Sequence, residues 1–367
     1  MKRNSLLVNG LLAIMILAGG FLFSADNNDT GAKRRKAATL EGQGNYKDAL
    51  EVYQDLIFKT QDNKDFVQND IDHAVMCLNN INRSDEIDTF IEKAIAQHKE
   101  NWRVLQRCAV IYQNQQHYGF MISGEFKRGG HRGGGKVVNS QERDRVRALQ
   151  LLDQSIPLAS SAEKAEKFEL YQQYMRFLVS YRGMNESWRL QYLTDLSVLP
   201  DYEEGYGWYR GGGETKGAPV DADGKAVFHK IPDSFKEAAT DGERWRWLME
   251  ECKKVCSERK YEIMYGFADF LQQQFDVQTM AYYGNSERGS DTEKDESGPY
   301  ATITLKENET IARLANGIKR FTVPDEFSFI AIYRQIAEDN KDKTYAEASW
   351  QKLSEIFSNR RQYPKAA

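Results

Sequence analysis

Gly44-Asn45-Tyr46-Lys47-Asp48-Ala49-Leu50-Glu51-Val52-Tyr53 reads as a turn followed by an amphipathic helix. Ala49 is the small residue on its apolar face, the size required where a neighbouring helix crosses closely, and larger side chains sit one turn away. The same offsets recur along the chain. Ile71, Ala74, Val75 and Leu78, then Ile87, Ile91 and Ala94, form one copy. Leu105, Cys108, Ala109 and Tyr112, then Tyr118 and Met121, form another. A looser copy runs through Tyr171, Tyr174, Met175 and Leu178 to Gly183, Ser187 and Gln191. The last comprises Trp350, Leu353, Ser354 and Phe357, then Tyr363 and Ala366. One match is any amphipathic helix; copies in register predict stacked helical hairpins.

The pattern resembles the tetratricopeptide repeat, whose Trp-x-x-Leu-Gly-x-x-Tyr signature is followed closely from Trp350 to Phe357. That resemblance implies an all-α, tetratricopeptide-like helical-repeat solenoid with glycine-rich and small β-hairpin insertions. Its expected divisions are a leader or anchor at 1–25, repeats at 26–122, a Gly/Arg-rich insertion at 123–139 and repeats at 140–199. An aromatic and glycine-rich insertion at 200–239 follows, then C-terminal repeats at 240–367. Asp223-Gly224 predicts a hairpin joining residues 218–220 to 226–228, and residues 284–299 read as a polar loop. Helices are expected near 241–258, 260–275, 307–320 and 325–338, the first with a capping box of Thr240 and Glu243. Another should begin near Asn139, with Glu142 as its capping partner. The last repeat reads as truncated. Trp350, Leu353 and Phe357 are expected to show an apolar stripe to water, as in a fragment of something longer.

With 50 Lys+Arg against 54 Asp+Glu, the chain lacks the basic excess of a nucleic-acid binder. Seven prolines in 367 residues leave room for long helices. Lys2 and Arg3 precede an apolar run at 6–23, and small residues follow at 18–20 and 24–25, which describes a secretory signal. Phe23 makes the cut after Ala25 imperfect, so an uncleaved anchor is the alternative; the run is short for a comfortable span. Either way the remainder is expected to be exported, to the periplasm or cell envelope. Four cysteines are too few for a disulfide scaffold.

Residues 130–136 fit the Gly-x4-Gly-Lys half of a phosphate-binding loop, but Val137 stands where Mg²⁺ needs a hydroxyl. The expected context, a helical repeat before the loop, is also wrong for nucleotide. Arg128-Gly129-Gly130 and Arg132-Gly133-Gly134 have the form of RNA-binding segments, yet in a net-acidic chain they read better as a flexible loop whose cations pair with carboxylates. Arg128, Arg132, Lys136, Trp208 and Tyr209 are therefore the candidate partner contacts. Cys252 and Cys256, one helical turn apart, are too distant for an unstrained disulfide; Cys77 and Cys108 belong to apolar repeat positions. The five histidines, at 73, 98, 117, 131 and 229, make no His-x3-His pair. Neither a metal nor a cofactor is expected, nor an enzyme.

Further strings resemble the N-terminal helical region of bacterial alpha-2-macroglobulin family proteins. They are GEFKRG at 124–129, ERDRVRAL at 142–149, WRLQYLTDL at 188–196, GAPVDA at 217–222, DGERWRW at 241–247, VQTMAYYG at 277–284 and NRRQYPK at 359–365. The resemblance implies a scaffold in an exported endopeptidase-inhibitor or envelope-defence protein. Its partners would be the protein's own downstream domains or another envelope protein, and target proteases only indirectly. No nucleic acid is implied, and membrane only through an uncleaved N-terminus. The family's thioester Cys-x-Glu-Gln does not carry over, because the nearest string is Cys256-Ser257-Glu258-Arg259 and arginine has no amide for the acyl group. The alternative is a stand-alone envelope adaptor that takes a peptide in the concave face of the solenoid.

Overall fold

A computed structural model describes residues 29–59, 66–182, 186–206, 217–277 and 300–367. The expected leader, the polar loop at 284–299, and Trp208 and Tyr209 lie outside the described residues. What is described is mostly helical. The helices are α1 (Asp29–Gly42), α2 (Tyr46–Phe58), α3 (Val67–Asn80), α4 (Ile87–Gln97), α5 (Trp102–Asn114) and α6 (Gln141–Leu158). They continue with α7 (Lys164–Val179), α8 (Asp241–Val255), α9 (Lys260–Phe275), α10 (Phe329–Asp339), α11 (Lys343–Asn359) and α12 (Tyr363–Ala366). Among the described residues no helix is long and apolar enough to cross a membrane.

Consecutive helices pack in chain order, and further contacts skip one helix, as between α3 and α5 or α9 and α11. The stripes read from the sequence explain this. Ala49, Ala74 and Ala109 are fully buried at the crossings, flanked by buried Leu50, Tyr53, Ile71, Leu78, Leu105 and Tyr112. Each large side chain so buried contributes about 1.5–3 kcal/mol, and no helix can realise that alone. One continuous apolar core therefore runs from Ala37 to Phe357. Local signals set the ends. Thr240 caps α8 by accepting from the Glu243 amide at 3.0 Å, while Glu243 Oε2 accepts from the Ala239 amide at 2.7 Å. The capping box is thus displaced back by one residue.

Three insertions leave the array after α5, α7 and α9. The first forms β1 (Tyr118–Ile122), β2 (Glu125–Arg128) and β3 (Lys136–Asn139). The second supplies β4 (Glu203–Glu204), which pairs with β3 to give the antiparallel order β2-β1-β3-β4. The third forms the antiparallel pair β5 (Glu309–Leu314) and β6 (Gly317–Thr322). Ala218 of the second insertion joins it, donating to Arg313 O at 3.0 Å and accepting from Ala315 at 2.8 Å. Gly217 makes this approach possible: its φ is +112°, and a Cβ there would lie 2.7 Å from Arg313 O. The insertions are hydrogen-bonded to one another along the array.

Several expectations are corrected. Tyr118 and Met121 belong to a strand, so the first insertion begins at 118 rather than 123. A Cβ on Gly119 would meet Lys127 O at 2.2 Å, a closeness that a strand partner requires. Residues 307–320 are not helical but hold β5, the turn and most of β6. Helix α6 starts at Gln141, whose amide is accepted by Asn139 Oδ1 at 2.7 Å, while Glu142 turns away to Arg145 and Arg182. The hairpin expected at Asp223-Gly224 is present but short: Val220 bridges Ala226 antiparallel, the Val227 amide donates to Pro219 O at 3.0 Å and the Asp221 amide to Lys225 O at 2.9 Å. Leu353 and Phe357 are buried, because α10 and α12 pack against α11; only Trp350, 51% exposed, faces water. All four cysteines are buried.

His229 ties the second insertion to α8. Its ring lies over Gly242, where a Cβ would stand 2.2 Å from Nδ1. Burial, and then the Arg246 charge, push its imidazole down to about 4. The unfolded chain binds this proton at its ordinary value near ~6.5. Stability from the neutral ring is therefore complete above that pH and lost as pH falls toward 4, by about 1.4 kcal/mol per unit. Urea melts between pH 7 and pH 4.5 should show this slope in the native chain and a shallower one in His229→Gln.

Candidate interaction groove

The alternate helices α1, α3, α5, α7, α9 and α11 are joined by a run of side-chain bonds. Arg34 of α1 donates to both oxygens of Asp70 of α3 at 3.0 and 3.1 Å. Arg107 of α5 pairs with Asp72 of α3. Between α5 and α7, Arg103 reaches Glu166 at 2.6 Å and Gln106 donates to Gln173 at 2.8 Å. Gln172 of α7 donates to Glu262 of α9 at 2.7 Å, and Lys352 of α11 reaches Asp269 of α9 at 3.2 Å. On α5 and α7 the polar residues recur three or four positions apart (Arg103, Gln106 and Arg107, then Glu166, Glu169 and Gln173), so they share one face of each helix.

Between α3, α5 and α7 this face sinks into a groove of about 920 Å³. Asn69, Asp72, Trp102, Gln106, Arg107 and Gln173 line it. Burial lifts the Asp72 carboxyl above its ordinary range even though Arg107 works against it, which marks a floor partly removed from water. An amide side chain offers two N–H donors and a carbonyl with two lone pairs. The Gln106–Gln173 bond uses one donor of the first and one lone pair of the second. The remaining capacity suits the alternating N–H and C=O groups of an extended backbone, and Trp102 and Val110 offer apolar contact beside it.

None of these groove residues is among the contacts expected from the sequence. The signal that finds them is the polar face of each alternate helix: Asn69 and Asp72, then Arg103, Gln106 and Arg107, then Glu166, Glu169 and Gln173.

The expected contacts separate. Arg132 is exposed on the β2–β3 loop, and Lys136 is exposed at the start of β3, where it pairs with Glu204. Gly130 to Lys136 thus joins β2 and β3, the two strands that flank β1, not a strand and a helix, which corrects the expected helical approach and removes the geometry of a phosphate loop. Arg128 is not a surface contact. It is 3% exposed and lies between two helices. It donates to Asp88 of α4 at 2.9 and 3.0 Å and to Asp144 of α6 at 2.8 and 2.9 Å. Another bond goes to Gln116 O at 2.7 Å. Burial raises the Asp88 carboxyl, and Arg128 offsets this only in part. The Asp144 carboxyl, more deeply buried than that of Asp88, is held below its ordinary value by hydrogen bonds from His117, Arg128 and Ser140. Among the described residues no group of His, Cys, Asp and Glu has the arrangement of a metal site.

No family model matches the chain, and neither a curated protein nor a solved structure is detectably similar to it.

Replacing Arg128 with Met should cost about 3–5 kcal/mol, because buried Asp144 and partly buried Asp88 lose their shared cation. Adding Asp88→Asn should recover part of that loss. Arg132→Ser should stay within about 0.5 kcal/mol of the native chain. Urea denaturation of the four proteins compares these values directly.

Proposed function

We propose that the helix array is a tetratricopeptide-like solenoid and a non-catalytic scaffold, which holds an extended polypeptide along the α3–α5–α7 groove. The observation that carries this reading is the groove floor, where amide side chains with spare hydrogen-bonding capacity stand on successive alternate helices. The pairing of hairpins in chain order and the bonds that link every second helix support the repeat reading. We further propose that the scaffold belongs to an exported protein of the alpha-2-macroglobulin type. The quoted sequence strings support that step, and the groove's occupant is then a segment of the same protein or of an envelope partner. A stand-alone adaptor uses the same groove, with a separate protein as occupant.

Peptides selected by phage display on the immobilised chain test the groove. Bound peptides should lose affinity by about 10²-fold when Asn69, Gln106 and Gln173 are all changed to Ala, from roughly 1 kcal/mol per hydrogen bond. Equal binding by the triple variant would move the site elsewhere. An antibody against the chain, used on fractionated cells, tests the setting. A band in the envelope fraction well above 42.2 kDa supports the larger exported protein. A cytosolic band at or below that mass excludes it.

A further inference from the structure

Just beyond α7, Tyr181 combines two unusual features. Its φ is +58°, a left-handed conformation that costs a bulky residue about 1–2 kcal/mol. Its side chain is nevertheless 44% exposed, so burial of the ring does not repay the strain. The flanks hold the conformation: Gln113 donates to Ser180 Oγ at 2.8 Å, and the Arg182 amide donates to Val179 O at 2.9 Å.

The Tyr181 hydroxyl lies 3.2 Å from His117 Nε2, and His117 Nδ1 lies 2.9 Å from Asp144 Oδ2. Asp144 is 3% exposed and immobilised by Arg128 and by Ser140, whose hydroxyl donates to it at 2.7 Å. Its carboxyl, held in the ionised form, only accepts. The proton of a neutral His117 ring therefore sits on Nδ1, and Nε2 is the lone-pair acceptor that faces the phenol. Nucleophile, base and orienting carboxylate stand in hydrogen-bonded sequence, the arrangement by which proteins activate a weak hydroxyl nucleophile.

We propose that Tyr181 is a site of covalent modification, at which His117 removes the phenolic proton as the oxygen attacks an activated acyl donor. Tyr181 Oη forms a bond to the acyl carbon, and its proton passes to His117 Nε2 while Asp144 holds the Nδ1 proton. The bond from the acyl carbon to the leaving group then breaks, and the leaving group departs with the proton from Nε2. The products are the Tyr181 ester and the protonated leaving group, with no change of oxidation state. Asp144 is a positioning residue. Burial raises the phenol above its ordinary range, so it is protonated at neutral pH and depends on the base. A neutral acyl donor fits better than an anionic phosphoryl one, because the neighbouring cations are engaged: Arg128 with Asp88 and Asp144, Arg182 with Glu142.

N-acetylimidazole on the full chain, with peptide mass mapping, tests this. Tyr192 and Tyr363 are internal references, being more exposed at 59% and 64%. Tyr181 should acetylate about 10²-fold faster than either, the lower end of what a positioned base supplies. In His117→Gln its rate should fall to theirs, while the reference rates stay unchanged and report an intact fold. The pH profile of the native chain gives the same answer without a variant. A Tyr181 rate that rises less than about tenfold per pH unit between about pH 7 and pH 9 supports the base. A rate climbing the full tenfold per unit, as phenol ionisation alone dictates, overturns it. So does a Tyr181 rate no greater than the reference rates, or one unchanged in His117→Gln.

Discussion

Asp88 on α4 and Asp144 on α6 approach one another in a seam where Asp144 is almost wholly removed from water, and the Arg128 guanidinium lies between them. Without that cation the two helices would bring like charges together at low dielectric, and packing of their apolar neighbours would oppose electrostatics. The cation comes from β2, so the first insertion is a structural member of the array. It closes the seam with six charge-assisted or polar bonds that also fix Gln116, two residues before β1, and Ser140, the residue before α6. Those two residues set where the chain leaves the array and where it returns.

The later insertions follow the same logic with other chemistry. After α7, the chain's loop at 192–200 is fastened backbone to side chain, with Thr194 held by Asp241 and Arg244, Leu196 by Gln150 and Pro200 by Arg143. Arg145, fully buried, bonds Asp241 of α8 from α6 at 3.1 Å, so a second buried ion pair fixes the next hairpin. Near α9 the device is apolar. Phe228 of the second insertion and Phe327 of the third stand 4.9 Å apart between ring centroids, and Phe267 of α9 packs on Phe327. Each insertion thus contributes what the helices beside it lack.

The helical stripes were legible because their period is local. Ala49, Ala74 and Ala109 announce crossings through size alone, and all three are buried where the spacing puts them. The residues 118–122 were not legible, since a five-residue apolar run has no period long enough to separate strand from helix, and the deciding contact is with Lys127 across the sheet. Residues 309–322 carried a readable sign, Asn316-Gly317 at a tight turn, and Gly317 does adopt φ +119°. The inward turn of Arg128 was hidden because its two partners lie 40 residues before it and 16 after it. The groove residues were visible as polar faces. Only the three-dimensional order of the helices shows that those faces meet.

The groove and the insertions divide the molecule by chemistry. Buried ion pairs and aromatic contacts stand between the helices and their insertions, where removing one partner leaves a desolvated charge or a void. The groove side is built from half-exposed ion pairs such as Arg103 with Glu166, and from amide pairs, each worth little to stability and therefore free to be exchanged for bonds to another chain. The scaffold proposed above would use this asymmetry. On that proposal, the side that frames the groove must not yield when a ligand enters, and the side that meets the ligand must give up its own bonds cheaply. The helix order separates the two, because faces of α3, α5 and α7 line the groove while the insertions leave the array at the ends of α5, α7 and α9.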